Sequence, residues 1–246
     1  MPVQPPVLLL APGLMCDAAS WGPVPTMLPG IDCRVVDHGT ADSLTQMAEQ
    51  LLANAPARFA LAGHSMGGRV ALEVMRMAPE RVTHLGLFDT GHRPRPAGTA
   101  GEEEVRKRMA LLAIAREQGV RAMASEWVKG MVAPHRLSDA PLIDSILAMF
   151  ERKSADIFER QLRALIQRPD ATAVLQAVQV PTLVLCGELD AWSPPAQHQT
   201  MADCIPARPA IVAVPGGGHM VMQEQPEPVL QAMRQWLSQP TQGASC

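Results

Sequence analysis

The chain has 246 residues, 47% of them hydrophobic and 18% charged, with a net charge of −3. That balance excludes a disordered or fibrous protein and predicts one soluble α/β domain with room for an insertion. With no long basic run there is no footing for nucleic acid, and no apolar stretch is long enough to span a bilayer.

Val7 to Ala11 is a continuous apolar run ending in Pro12-Gly13, the pattern of a strand buried on both faces of a parallel sheet. It has no basic residues before it and breaks at the proline, so it is not read as a secretory signal. Cys33 to Asp37 predicts the next strand. Ser43 to Ala53 predicts a helix, with Leu44, Met47, Ala48, Leu51 and Leu52 at helical spacing and Ser43 as N-cap. Phe59 to Ala62 reads as a strand, Arg69 to Ala78 as a helix and Val82 to Phe88 as another strand ending at Asp89. From 91 to 170 no strand is expected: Gly91 to Pro96 looks like a linker, followed by amphipathic helices. Thr182 to Cys186 and Ile211 to Val214 resume the sheet, and Glu227 to Leu237 closes the chain as a helix. The expected organisation is a mostly parallel sheet with helices on both faces, built from 1–90 and 171–246, with an inserted helical cap at 91–170. The five cysteines, Cys16, Cys33, Cys186, Cys204 and Cys246, are scattered and odd in number. They read as reduced thiols, which predicts a cytoplasmic protein.

Between the strand at Phe59 and the helix at Arg69 lies Gly63-His64-Ser65-Met66-Gly67-Gly68. Small residues two positions either side of a serine permit a turn tight enough to lift its hydroxyl off the sheet, a nucleophile elbow with Ser65 as nucleophile. Two other glycine loops use the same setting. A dinucleotide fingerprint needs glycine where Ser65 stands, and a phosphate loop needs Lys-Ser/Thr where Arg69-Val70 follow, so both are excluded.

A serine hydroxyl needs a base, ordinarily an imidazole oriented by a carboxylate. Of the seven histidines, His219 alone follows a flexible Pro215-Gly216-Gly217-Gly218 run just past the last strand. His38, His64, His84, His92, His135 and His198 read as structural or surface residues. For the acid, Asp190, Asp89 and Glu188 all sit at strand ends and compete; the order Ser65, Asp190, His219 matches the one expected of a serine elbow on this kind of sheet scaffold.

These features together resemble the α/β-hydrolase superfamily, over nearly the whole chain. The carriers are Gly63 to Gly68, Gly187-Glu188-Leu189-Asp190 with Pro194 downstream, and Gly218-His219. Small capped bacterial members such as enol-lactonases, pimeloyl-ester carboxylesterases and menaquinone-pathway lyases are the most similar. The resemblance favours Asp190 over Asp89, since the acid commonly follows the strand after the cap. It also implies an oxyanion hole from the backbone N–H groups of Met66 and Leu14. Many relatives carry His-Gly at the latter turn; Pro12 keeps the backbone donor but leaves the brace of the loop unassigned. The implied activity is cleavage of a carboxylic ester or related acyl substrate through an acyl-enzyme, without cofactor or metal. Enol-lactonase, thioesterase, carbon–carbon hydrolase or lyase chemistry, and non-catalytic ligand binding in the cap cleft, are the alternatives. Oligomeric state is not legible. Met109, Met123, Trp127, Met131 and Met149 are expected to give the cap an apolar underside, with Met123, Trp127, Met131 and Met149 as pocket residues. No cluster of Arg or Lys is evident in the cap, so short-to-medium uncharged esters are expected to be preferred over dicarboxylates.

Overall fold

The computed structural model describes residues 6–241; Cys246 and the end of the polar tail lie outside them. Six strands form one parallel sheet: β1 (Val7–Ala11), β2 (Asp32–Val35), β3 (Phe59–His64), β4 (Val82–Phe88), β5 (Thr182–Gly187) and β6 (Ile211–Val214), in the spatial order β2-β1-β3-β4-β5-β6. The helices are α1 (Leu44–Asn54), α2 (Met66–Met77), α3 (Thr99–Glu117), α4 (Val120–Trp127), α5 (Ala140–Glu151), α6 (Ala155–Ile166), α7 (Thr172–Gln176), α8 (Pro195–Cys204), α9 (Val221–Glu224) and α10 (Pro226–Leu237). The expected α/β architecture is therefore present, and α3 to α6 fall between β4 and β5 with no strand among them.

Alternation along the strands builds two cores, one on each face of the sheet. Leu8, Leu10, Ala60 and Ala62 join Trp21, Phe88, Leu230 and Trp236 on one face. Leu9, Phe59 and Leu61 join α1, α2 and the inserted helices on the other. Each fully buried Leu or Phe side chain contributes about 1.5–3 kcal/mol relative to exposure. Ser43 caps α1 as expected, its Oγ accepting from Gln46 N at 3.1 Å. α2 starts at Met66 rather than Arg69, because the glycines of the elbow already belong to its first turn. α8, preceded by Pro194, was not expected; its sequence has little amphipathic pattern.

The sheet order reverses between β1 and β3, which leaves a crevice beyond their C-terminal ends where ligands of such sheets bind. The inserted helices sit beside that edge. Arg152 binds Asp17 in the loop after β1, and Lys153 and Arg163 reach Asp37 and Asp42 in the loop after β2. Each such exposed pair is worth only about 0–1 kcal/mol, so apolar packing carries most of the attachment.

Candidate active site

Ser65 sits between β3 and α2 with φ 53° and ψ −114°, a conformation that costs an L-residue on the order of 1–3 kcal/mol. Surrounding contacts hold it there. Ser65 N–H donates to the Phe88 carbonyl at 2.9 Å, and Thr90 Oγ1 donates to the Ser65 carbonyl at 2.6 Å. The need for small neighbours is literal: a Cβ on Gly63 would collide with the Gly67 carbonyl, and one on Gly67 with the Ala11 carbonyl.

His219 Nε2 lies 2.9 Å from Ser65 Oγ, and His219 Nδ1 lies 2.8 Å from Asp190 Oδ2. The only tautomer that satisfies both has Nδ1–H donating to the carboxylate and Nε2 accepting from the hydroxyl. The other Asp190 oxygen accepts from the N–H groups of Trp192 and Ser193 at 2.8 and 3.0 Å. Burial acts to raise the Asp190 pKa, but the His219 charge and these hydrogen bonds outweigh it and hold the carboxyl below its ordinary range. The structure thus brings Ser65, Asp190 and His219 together at the sheet edge.

The rival acids separate. Glu188 is exposed and accepts from Gly216 N. Asp89 is fully buried, with φ 45°, and its Oδ1 accepts from Gly187 N at 2.8 Å. Burial, and then the Asp190 charge beside it, raise its pKa well above the ordinary carboxyl value. Asp89, Asp190 and His219 each place a ligand-type atom within 4.8 Å of the others. Both His219 nitrogens are already engaged in this group, which leaves it without a free imidazole lone pair for an ion.

Several supporting residues were not singled out from the sequence. His64 was read as merely structural, yet its Nε2 donates to the His219 carbonyl at 2.8 Å. Burial, then the nearby His219 charge, push the His64 pKa down to about 3, so it stays neutral. Glu224 accepts from Ala133 N and Met220 N, joining the His219 loop to the insertion. Gln161 of α6 accepts from Met15 N at 2.7 Å, and His38 Nε2 donates to the Pro12 carbonyl at 3.0 Å. These two supply the brace that Pro12 cannot. Met15 has φ 61°, so the loop carrying Leu14 is held in a strained shape from both sides. Of the other histidines, His84 binds the Gln239 carbonyl, His92 is buried with its Nδ1 unpartnered among the described residues, His135 is exposed, and His198 Nε2 accepts from Thr90 N.

A cavity of about 470 Å³ opens at Ser65 and His219, and both Leu14 and Met66 line it. Trp127 and Met131 line it too, as expected. Met123 and Met149, expected there as well, do not: they are fully buried in the core that the inserted helices share, Met123 one turn before Trp127 on the same face of α4. Trp192, absent from the prediction, stacks on Trp127 at 5.4 Å and lies 4.9 Å from the His219 ring. The lining is also not uniformly apolar. Arg69, Lys107, Arg108 and Arg168 face it along with Glu104, a cationic cluster that is dispersed along the sequence.

The model of the alpha/beta hydrolase family matches residues 8–232. The chain belongs to that family. It is 30% identical over 190 residues to the pimeloyl-[acyl-carrier protein] methyl ester esterase of Nitrosomonas europaea, covering 76% of this chain and 74% of that one. A thermophilic esterase from Thermogutta terrifontis, solved with malate bound, is 30% identical with a TM-score of 0.81, covering 94% and 89% of the two chains. The dihydrolipoyllysine-residue acetyltransferase component of the acetoin cleaving system of Pseudomonas putida is 29% identical over 214 residues. The match takes in 85% of this chain but only 53% of that longer protein. The family and the two esterases support hydrolase chemistry of esterase type. Among the described residues no helix is long and apolar enough to cross a membrane.

Proposed function

We propose that this protein is a serine hydrolase that cleaves a carboxylic ester or related acyl bond through an acyl-enzyme. One observation carries the reading: the continuous hydrogen-bonded chain from Ser65 Oγ through His219 to Asp190, opening into a cavity of about 470 Å³. Ser65 Oγ attacks the acyl carbon while His219 Nε2 takes its proton, and the charge on the former carbonyl oxygen falls to the N–H groups of Leu14 and Met66. His219 then protonates the leaving oxygen as the carbon–oxygen bond breaks. Water enters, gives its proton to the same nitrogen, and releases the acid and free Ser65. Asp190 holds His219 in the tautomer these transfers need. The inserted helices act as a lid, with Trp127, Met131 and Trp192 walling the acyl channel; the two esterase relatives point the same way. Hydrolysis of p-nitrophenyl butyrate, with Ser65→Ala as the blank, tests this: turnover by the parent and none above background in the blank is expected. Equal rates in the two proteins would sink the reading.

A further inference from the structure

The cationic side of the cavity does no work in the chemistry described so far, and its charges do not balance. Arg168 donates to Glu104 Oε2 at 2.8 Å, and Arg108 Nε donates to Glu104 Oε1 at 3.0 Å. One carboxylate therefore serves both arginines. Arg69 adds a third guanidinium whose Nη1 donates to the Arg93 carbonyl at 2.9 Å. Among the described residues its Nε and Nη2 have no hydrogen-bond acceptor, and no carboxylate pairs with it. Arg168 Nε is likewise buried without a partner. Lys107, also in the lining, turns to Glu103 at 3.5 Å. Three guanidiniums against a single Glu104 leave two positive charges uncompensated around a confined space.

That arrangement is costly when empty. Burial first, then repulsion from Arg168 and Arg108, pull the Arg69 pKa down to about 9. A guanidinium edge offers two parallel N–H donors that match the two oxygens of a carboxylate, and such charge-assisted pairs are strongest where water is excluded. Structural duty explains only part of Arg69: its Nη1 anchors the segment after β4, while the other donors remain beside Gly91 at the cavity.

We infer that Arg69, Arg108 and Arg168 form an anion subsite of the cleft, and that the substrate is an ester or lactone carrying a free carboxylate besides the bond that is cut. This rests on the hydrolase reading above and replaces the expectation of an uncharged substrate. The apolar wall of Trp127, Met131 and Phe158 accommodates the methylene chain between the two ends. Arg69 stands on the first turn of α2, four residues after Ser65, and both side chains line the same cavity.

Monomethyl adipate and dimethyl adipate differ only in the free carboxylate and decide the matter. Calorimetry on Ser65→Ala reads binding without chemistry: monomethyl adipate should bind at least on the order of tenfold tighter than the dimethyl ester. Arg69→Gln or Arg108→Gln in that background should erase the preference, and Arg116→Gln, whose partner is Glu159, should keep it. In the Ser65 protein the ratio of kcat/KM for the two esters should follow the same pattern. Equal binding of the two esters to Ser65→Ala, or a preference that survives both arginine substitutions, overturns the subsite. Selective binding without turnover by the Ser65 protein keeps the subsite and removes the hydrolase reading instead.

Discussion

At the residue scale the two buried aspartates divide the labour by environment. Asp190 is ionised and hydrogen-bonded on both oxygens, whereas Asp89 is buried beside it and favours its protonated form. Asp190→Asn should therefore lower kcat by on the order of 10³–10⁴, because the amide cannot hold the His219 tautomer. Asp89→Asn should leave kcat within about tenfold, since asparagine keeps the acceptor for Gly187 N and tolerates the positive φ. Steady-state kinetics of the two variants checks both, and a reversed order would move the acid to Asp89. The pH dependence of stability separates them further. A carboxyl whose folded pKa is raised contributes stability that is full below its unfolded value and is lost as pH rises through the folded one. For Asp89 the loss begins above the unfolded value of 3.8. Asp89→Asn should thus match the parent's melting temperature near pH 4 and exceed it increasingly toward neutrality. A difference that stays flat with pH would contradict the assignment of a protonated Asp89.

At the scale of elements, the active loops are held by parts of the chain remote in sequence. Gln161 reaches from α6 to Met15, so the insertion braces the loop that carries Leu14, to which the proposed mechanism gives an oxyanion donor. Gln161→Leu leaves the Met15 N–H buried and unpaired, a loss of about 1–3 kcal/mol. We expect a lower melting temperature by circular dichroism together with a fall in kcat of at least about tenfold; unchanged kcat would show that the loop keeps its shape unaided. Most strands were legible as short apolar runs, and Val82–Phe88 and Ile211–Val214 match their predicted limits, whereas the half-exposed edge strand Asp32–Val35 was expected at Cys33 to Asp37. The elbow was legible because its backbone dictates residue types locally. Met123 and Met149 were expected in the pocket but pack in the core, because hydrophobic spacing tells a buried face from a wet one, not which buried residues reach a cavity. Choosing Asp190 over Asp89 needed the family resemblance, since both end a strand with the same local pattern.

Across the whole molecule, the proposed function depends on groups that only the fold assembles. Arg69, Arg108 and Arg168 come from α2, α3 and the segment after α6, so no window of sequence shows them as a cluster. The same holds for Glu224, which ties the His219 loop to Ala133. Stability should reflect these ties. Burial acts to raise the Glu104 pKa, but hydrogen bonding from Arg168 and the charges of Arg108 and Arg168 bring it down to about 2. A carboxyl lowered in this way stabilises the fold above its unfolded value and ceases to as pH falls through its folded one. Melting temperature should therefore decline from about pH 4 toward pH 2, and Glu104→Gln should flatten part of that decline. An identical acid profile in the two proteins would show that the Arg108–Glu104–Arg168 group contributes nothing to stability.

The central claim is that Ser65 is the nucleophile, and covalent labelling tests it most directly. A fluorophosphonate probe reacts with a serine whose hydroxyl is activated by a neighbouring imidazole, as the 2.9 Å contact with His219 Nε2 provides. Peptide mass spectrometry of the labelled protein should place one adduct on Ser65, with labelling abolished in Ser65→Ala and strongly slowed in His219→Ala. An adduct on Ser20 or Ser193, or labelling that persists in Ser65→Ala, would contradict the account.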